Sequence, residues 1–598
     1  MNFSKINELK PYDLNCNIFD VYSYDGLSMQ ELLCQFFTKI NECIKTSNET
    51  IDLAEWLVNE GLKQEVVIKL TNWLNDGTIE NLINVTLFEN LNKKIDNVSS
   101  QLEDKVNKLK NVYHVEDYRD NRSDTELLNF ISEIVTNNSI IILDKDNYIL
   151  NDTIYFKNKS NISIKGNVDI TENILPNKSV LYFKNCDNIN ISNLKCNGSE
   201  KLEGFFGSAD DDFSFIYFDD CINCNIKNIS INNKTYGIIL NKCENVKITN
   251  TRVYGFLLSG SLTENGSNYN ASIYVKKSKN IYIEGLKCRD IGQGVSVGLD
   301  SKYIEMKNII IENARDNGIY VSSGENCVLS NIKVNGCNSS GIKVRGKNHV
   351  LESCFINDSY IGISLTGNGS TTDSNGFNGG YSIVNNCIID NCSDIGIDIG
   401  VQDDLYGCSY TVKNNTIKNV QSILTNRAFI RVTKSDNTNI IGNTLIGDVI
   451  GEYSILITGE VKNMNISNNV IKTKSKNGIR LNSLNNSIIS YNVIENSIGV
   501  DGRYVNNCLI EGNICPEGTV FNLSSSYNSE NNILTKNIGN NLNCDYGKNI
   551  LQYNTPTIKN VYGGITSIPK YPGQITVVSG KIYIAKGVAT VDDWVLIE

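Results

Sequence analysis

Short apolar segments with alternating polar residues recur through the middle of the chain. Many of them follow a glycine, at Gly237, Gly294, Gly318, Gly341, Gly362, Gly396 and Gly478. The intervals between Gly294 and Gly362 are 24, 23 and 21 residues. After each comes an Asn-containing turn and a second segment such as NVKITN or NIYIEG, then a third such as NIIIEN. Three strands in roughly 22 residues, repeated many times, predict a right-handed parallel β-helix whose stacked coils share one core.

The glycine-initiated strand, called strand A, defines the predicted coils. Its first apolar positions give about 13 or 14 coils and are Leu181, Ile216, Ile238, Ile273, Val295, Ile319, Ile342, Ile363, Ile397, Ile430, Ile455, Ile479, Val500 and Val520. Side chains of a strand alternate between two faces, so the next residue of each strand points outward. Because successive coils lie about 4.8 Å apart, these residues form one column. The predicted strand A column is Tyr182, Tyr217, Ile239, Tyr274, Ser296, Tyr320, Lys343, Ser364, Asp398, Arg431, Leu456 and Arg480.

Polar, Gly- and Ser-rich insertions lengthen a few coils to 33 to 35 residues. Residues 197–214 and 255–272 enter just before strand A, and residues 366–381 and 400–410 leave just after it. Loops that a rigid scaffold positions commonly carry function. The insertions therefore predict a groove with strand A as its floor.

The two ends of the chain have other patterns. Residues 27–110 show helical spacing, and the last part of this stretch predicts a short coiled coil that favours an oligomer, through Leu91, Ile95, Val98, Leu102, Val106 and Leu109. From residue 555 the Asn-rich repeat stops and a small β module is predicted. The predicted divisions are a helical region at 1–111, the start of the β-helix at 112–165, the parallel β-helix at 166–554 and the β module at 555–598.

Composition narrows the possible functions. The chain has 598 residues, a net charge of -11 and a pI near 5.1, which oppose binding of nucleic acid. No apolar run approaches about 18 residues, so no membrane insertion is expected, and the N-terminus lacks the pattern of a secretory signal. About 90 Asn residues fit the bends of the coils, because Asn tolerates left-handed backbone geometry and forms side-chain ladders.

Catalytic chemistry is restricted by the scarcity of histidine. His114 and His349 are the only imidazoles and lie far apart in sequence, so a Ser-His-Asp triad or a multi-histidine metal site is poorly supplied. We expect no cofactor and no metal. The 18 cysteines are interpreted as buried thiols, with metal or disulfide roles as the alternative, since Cys221-x-x-Cys224 is the only CxxC pair and has no second pair beside it.

Carboxylates are the remaining catalysts. Asp398 is the first candidate, because it lies on the predicted floor and Asp394 stands at the preceding bend. The pair Arg289-Asp290 recurs as Arg315-Asp316, so Asp290 and Asp316 are expected to stack and separate into acid and base. The alternative is a ladder of turn-capping aspartates.

Two groups of outward residues are candidates for substrate binding. Tyr182, Tyr217, Tyr274 and Tyr320 suit stacking on sugar rings, although Tyr is also simply common in strands. Lys343, Arg345, Arg431 and Arg480 suit a negatively charged glycan or polyol phosphate, and a solvated charged face is the alternative. The acidic clusters at 210–212 and 219–220 suit Ca²⁺ or a solvated loop.

Three stretches carry a resemblance to a known family. They are residues 55–78 with EWL, GL and NDGT, residues 115–150 with V-x-DY and SDTE, and residues 571–594 with Y-x-GQ, YIA-x-G and DW. In these stretches the chain resembles phage tail spikes with a pectate-lyase-like β-helix, nearest to preneck appendage proteins of short-tailed phages that infect Gram-positive bacteria. The Gly-Asp-Gly usual before the Thr of the second stretch is replaced here by DNRS at 120–123.

The resemblance implies a homotrimer in the virion, assembled in the host cytoplasm. Its N-terminal region would attach to tail or collar proteins, and its β-helix would bind a host-surface polysaccharide or teichoic acid and often depolymerise it. Two hypotheses follow: a tail spike that cleaves the polymer by carboxylate-based hydrolysis, or a receptor-binding spike without chemistry. A cellular polysaccharide lyase is a third interpretation, which the missing secretion signal weakens and which leaves the helical N-terminus unexplained.

Overall fold

The chain divides into two units, Met1–Lys110 and Asn111–Glu598. The computed structural model describes residues 111–597 apart from the stretches 174–177, 199–213, 256–270, 367–380, 401–408, 422–426, 449–451, 524–527, 545–547, 555–568 and 570–574 and the positions 235, 299, 497, 553, 579, 580 and 588. The predicted helical region, with its coiled coil, therefore lies outside the described residues. None of the helices in the described residues has the length and hydropathy of a membrane-spanning segment.

The described chain begins with a strand, a 3-10 turn at Val115–Tyr118 and a helix, α1, at Asp124–Ile134. A capping box starts α1: the Ser123 hydroxyl accepts a hydrogen bond from the backbone of Glu126, whose carboxylate accepts one from the backbone of Ser123. Leu127 and Ile131 of α1 are fully buried in the same core as the first coils. The helix therefore closes the N-terminal end of that core.

A right-handed parallel β-helix of about 15 turns follows, one or two more than the sequence predicted. The strands of neighbouring coils pair in parallel. The separate strands in the strand A position are Ile154–Lys157, Leu181–Lys184, Ser214–Asp219, Tyr236–Asn241, Ala271–Lys276, Gln293–Val297, Ile319–Glu325, Ile395–Gly400, Ala428–Thr433, Tyr453–Thr458, Asn477–Leu481 and Ile498–Gly502. Four longer strands include a strand A segment after a bend: Val328–Lys347, Phe355–Thr366, Ile514–Leu523 and Ile538–Asn543.

Strands B and C complete each coil. Strand B occurs at Val112–His114, Ser139–Ile142, Asn225–Lys227, Glu244–Thr249, Lys279–Glu284, His349–Glu352, Tyr381–Asn385, Ser409–Lys413, Asn439–Ile441, Asn465–Ser467, Ile488–Ser490, Leu509–Glu511, Ile533–Thr535 and Ile550–Gln552. Strand C occurs at Asn147–Leu150, Ser230–Asn232, Arg252–Tyr254, Lys287–Ile291, Ile388–Asp390, Thr416–Lys418, Thr444–Gly447, Val470–Thr473 and Val493–Ile494. Strands B and C are continuous in Ser160–Glu172, Asp187–Asn197 and Lys302–Ala314 and in the first part of Val328–Lys347. A small parallel sheet joins Val461–Lys462, Leu484–Asn485 and Val505–Asn506.

Asparagine has two roles in the coils. Most of the described non-glycine residues with positive φ are Asn at bends, such as Asn193, Asn228 and Asn250 at 59°, 55° and 51°. Inside the core, buried Asn side chains from successive coils donate to one another at 2.8 to 3.0 Å. This internal ladder is Asn415, Asn443, Asn469, Asn492, Asn513, Asn537 and Asn554. The predicted ladders and bend positions are thus both present.

Glycine precedes strand A because the corner has no room for a side chain. A Cβ at Gly396 would lie 2.5 Å from Ile417 Cγ2, and one at Gly318 would lie 2.8 Å from Val334 Cγ1. The aliphatic side chains of strand C fill that corner from inside. The fourteen described cysteines are buried and free of disulfides, as predicted.

The chain ends in a three-stranded antiparallel sheet. Its strands are Ile575–Val578, Lys581–Ala585 and Trp594–Ile597. Asp593 organises the turn before the last strand by accepting hydrogen bonds from the backbone of Ala589 and Thr590.

Candidate functional site

The strand A column has the predicted register at every step. Tyr182 pairs with Tyr217, Lys343 with Ser364, and Arg431 with Leu456, as do the intervening pairs. The column also extends further, to Tyr155 at one end and to Asp501, Asn522 and Asn543 at the other. One outward line of side chains therefore runs along the axis through most of the β-helix.

The four long insertions lie outside the described residues, but the strands beside them are described. Asn197 and Tyr254 end strand C before two of the insertions, and strand A resumes at Ser214 and Ala271. The other two insertions follow the strand A segments that end at residues 366 and 400. The edges from which the insertions depart are those the sequence predicted.

The tyrosines of the column contact one another. The rings of Tyr182 and Tyr217 stack with centroids 4.9 Å apart, and Tyr155 lies 5.4 Å from Tyr182. The distance between neighbouring coils is close to the distance at which aromatic rings stack. Where outward tyrosines lie in neighbouring coils, the ring face of one is therefore covered by the other. Tyr217 is only 4% exposed and packs with Tyr236, Ile239 and Ala271 in an apolar cluster separate from the core. The ring faces of Tyr182 and Tyr217 thus pack on one another, and the Tyr182 hydroxyl donates a 3.1 Å hydrogen bond to Asp219.

Charged residues occupy the next part of the column. Arg431 donates hydrogen bonds of 2.8 Å to both carboxylate oxygens of Asp398, which is 8% exposed. Lys343 and Arg345 lie over the ring of Tyr320, at 5.7 and 5.6 Å from its centroid. Burial, with Arg345 close by, lowers the pKa of Lys343, while attraction to Asp316 and Asp398 acts in the opposite direction.

A second line of side chains runs parallel to the strand A column, at the bend that leads into strand A. This bend column lies four residues earlier in each coil and contains Gly292, Asp316, Ser339, Tyr360, Asp394, Arg427, Glu452 and Lys476. Asp394 forms an ion pair with Arg427, which also donates a 3.1 Å hydrogen bond to the Tyr360 hydroxyl. Two Asp-Arg pairs thus bridge the same two coils, one in each column.

The expected stacking of Asp290 on Asp316 is wrong. One coil after Asp290 comes Asn313, which is 23 residues on and donates a 3.0 Å hydrogen bond to it. The Arg-Asp pair recurs only after 26 residues, so it falls out of register by three. Asp290 therefore lies at a different bend with φ of 57°, whereas Asp316 lies in the bend column and accepts a 2.6 Å hydrogen bond from Gln293.

A cavity of about 280 Å³ opens beside the far end of the strand A column. Its lining combines charged, amide, aromatic and aliphatic side chains: Glu452, Tyr453, Lys476, Asn477, Arg480, Ile498, Asp501, Arg503 and Asn522. Of these, only Arg480 was a sequence candidate. Asp501 follows Val500 by the same alternation rule, so continuing the column by one coil would have found it.

A larger cavity, of about 470 Å³, lies away from strand A. It follows the Asn bends between strands B and C at Asn228, Asn250 and Gly285, with Arg252 and Lys287 beside them. No carboxylate stands among the described residues that line it, so it does not suit carboxylate chemistry.

Asp219, a candidate for Ca²⁺, accepts hydrogen bonds from Tyr182 and Asn241. Among the described residues no three His, Cys, Asp or Glu side chains cluster as metal ligands would.

Comparison with known proteins adds to this description. The family model of the right handed beta helix region matches residues 214–377 and 300–447. No curated protein sequence matches the chain. The family match agrees with the parallel coils described above.

Several solved structures are similar over most of the chain. The tailspike of E. coli bacteriophage HK620 in complex with a pentasaccharide is 13% identical over 75% of this chain and 79% of its own, with a TM-score of 0.44. The catalytic domain of a GH87 alpha-1,3-glucanase in complex with nigerose is 13% identical over 70% and 67%, with a TM-score of 0.34. PfbA, a surface adhesin of Streptococcus pneumoniae, is 12% identical over 69% and 91%, also with a TM-score of 0.34.

Proposed function

We propose that the protein is a homotrimeric phage tail spike that adsorbs to a host cell-surface glycan or teichoic acid and depolymerises it by carboxylate-based hydrolysis. The N-terminal region attaches the spike to tail or collar proteins, which is what its resemblance to virion-proximal segments of preneck appendage proteins implies. The polymer lies along the strand A face.

The observation that carries the proposal is the charged run of the strand A column. Lys343, Asp398 and Arg431 lie within four successive coils, and Arg480 and Asp501 follow two and three coils later. Cations placed along the axis suit an extended polymer that carries negative groups along its length. Long insertions on both edges of this strand support a groove over it.

Hydrolysis needs two carboxylates with different roles. One must be anionic to act as nucleophile or base, and the other must carry a proton for the leaving oxygen. Asp398 suits the anionic role, because Arg431 holds both of its oxygens in charge-assisted hydrogen bonds. Asp394, four residues earlier in the same coil, is the proposed partner acid.

One observation favours the second candidate, a receptor-binding spike without catalysis. Asp394 is 4% exposed and also forms an ion pair, with Arg427. An arginine partner stabilises the ionised carboxylate and opposes its use as a proton donor. If both aspartates serve to fix arginines, the face binds an anionic polymer and leaves it intact.

The two candidates differ in the products they leave. Purified full-length protein is incubated with cell-wall and capsular polymers of Gram-positive bacteria, and released reducing ends and glycerol phosphate are followed. The hydrolytic proposal expects fragments that accumulate with time. Adsorption to cells without any released fragment would reject hydrolysis and support the receptor-binding spike.

A further inference from the structure

The cavity beside Arg480 and Asp501 is built around a fixed ion pair. Arg480 and Asp501 are 6% and 7% exposed and are paired across adjacent coils. Asn522 donates a 2.8 Å hydrogen bond to the other oxygen of Asp501, and Arg480 Nε donates one of 3.0 Å to Asn482. Asp501 therefore positions the guanidinium of Arg480 at the cavity wall.

The remaining charges of the lining are mostly cationic. Lys476 and Arg503 are exposed, and among the described lining residues Glu452 is the one carboxylate besides Asp501. Apart from the Arg480–Asp501 pair, the described lining therefore carries two cations and one anion. An anionic group that entered the cavity would be attracted to Lys476 and Arg503.

The cavity also has partners for hydroxyls. Asn477 is 5% exposed, and its buried Oδ1 accepts no hydrogen bond from the described residues. A buried acceptor without a donor is costly, and a hydroxyl from a bound molecule would satisfy it. Burial raises the pKa of the Tyr453 phenol, and a hydrogen bond from its hydroxyl to Glu452 does so too, which leaves the phenol oxygen as an acceptor. Tyr453 and Ile498 supply the apolar surface.

We propose that this cavity binds one anionic sugar unit, with its carboxylate or phosphate on Lys476 and Arg503 and a hydroxyl on Asn477. The volume of about 280 Å³ suits a single such unit rather than a longer segment. This inference rests on the proposed function for the origin of the ligand, a unit of the host polymer held on the strand A face. The inference adds where one unit of the polymer binds and which side chains bind its anionic group.

The test uses small ligands and the full-length protein. Binding of glucuronate, glucose 6-phosphate, glucose and inorganic phosphate is measured by calorimetry. We expect glucuronate or glucose 6-phosphate to bind at least about tenfold more tightly than both glucose and phosphate. Which of the two binds more tightly identifies the anionic group as carboxylate or phosphate.

Two variants and a matched control test the residues. Lys476→Gln and Arg503→Gln are each expected to weaken binding of the preferred ligand about tenfold. Lys472→Gln removes an exposed lysine of strand C that pairs with Glu495 at 3.1 Å outside the cavity, and it is expected to bind as the wild type does. Equal binding of glucose or of inorganic phosphate, or unchanged binding by both cavity variants, would overturn the inference.

Failure of this inference is separable from failure of the proposed function. Adsorption to whole cells is measured with the same variants. If the monosaccharide binds but no cell-wall polymer does, the cavity is a sugar site and the proposed function fails. If polymers bind while none of the four small ligands does, the proposed function stands and the cavity assignment is wrong.

Discussion

Arg431 donates hydrogen bonds of 2.8 Å to both carboxylate oxygens of Asp398, which lies in the neighbouring coil. If Asp398 is the catalytic anion, Asp398→Asn removes the charge while keeping the shape of the side chain. We expect polymer cleavage to fall by about 10³-fold with adsorption retained, because loss of one catalytic group typically costs 10²–10⁴-fold. Initial rates of reducing-end release measure it.

Asp290→Asn is the matched control for this prediction. Asp290 lies at another bend, where it accepts a hydrogen bond from Asn313, so its change should leave cleavage within about twofold. Equal losses in the two variants would point to a general effect on folding. Unchanged cleavage by Asp398→Asn would remove Asp398 from the mechanism.

The corner before strand A is predicted to reject any side chain. In Gly396→Ala the new Cβ would meet Ile417 Cγ2 and Phe429 O at 2.5 Å, and we expect a loss of about 1–3 kcal/mol of unfolding free energy. In Gly400→Ala, in the same strand, the nearest atom is Thr433 Cβ at 4.0 Å, so little change is expected. Chemical denaturation compares the two, and equal stability would contradict the packing of this corner.

Burial of His349 predicts that the folded state loses stability as the pH falls. Burial lowers the pKa of His349 to about 4 from 6.5, while its ring contacts the Arg345 carbonyl at 3.1 Å. The unfolded chain takes up a proton first as pH falls, so stability present above pH 6.5 is lost between pH 6.5 and about 4. The total is about 3 kcal/mol.

His349→Gln is expected to remove this part of the pH dependence, as measured by denaturation at a series of pH values. His114→Gln is the control, because the His114 side chain is 49% exposed and pairs with Asp144 at the surface. If the dependence of the unfolding free energy on pH persists in His349→Gln and disappears in His114→Gln, the assignment of this dependence to His349 is wrong.

The internal Asn ladder is predicted to act as one unit. Asn492→Ala would remove donors to Asn513 and to the Ile466 carbonyl, and would leave the buried Asn469 amide without its acceptor. We expect a loss of about 2–4 kcal/mol, since the groups left behind are buried and unpaired. Asn439→Ala, which removes one long hydrogen bond to Thr411 on the outside, should cost less than about 0.5 kcal/mol. If chemical denaturation shows similar losses of unfolding free energy in the two variants, the ladder does not stabilise the fold more than a surface hydrogen bond does.

Much of the fold could be predicted because the pattern that defines each coil lies within a few consecutive residues. Alternation within strand A and the preceding glycine fix which residue faces outward, and this held from Tyr182 to Arg480. The rule depends only on neighbours in sequence, so it survives insertions of any length. The Asp290 prediction failed because it used a recurring dipeptide instead of counting coil length.

Pairing across coils was harder to predict. Asp394 meets Arg427 because 33 residues separate them, including an insertion after strand A. The burial of Tyr217 was also missed, since alternation predicts that a side chain leaves the core but not that neighbouring side chains cover it. The predicted strand A column ended at Arg480, although the column continues beyond it, and Asp501 was therefore not among the candidates.

Adsorption tests the central claim, that strand A binds a negatively charged host polymer. Lys343→Gln combined with Arg431→Gln removes two cations of the strand A column, and binding to purified cell-wall polymer is compared with that of the wild type. The control combines Lys247→Gln and Lys333→Gln, two exposed lysines of strands B and C that also lie over aromatic rings, at 5.2 and 5.8 Å. We expect the strand A variant to lose at least about tenfold in affinity and the control to bind as the wild type does. Equal binding by the two variants would contradict the account.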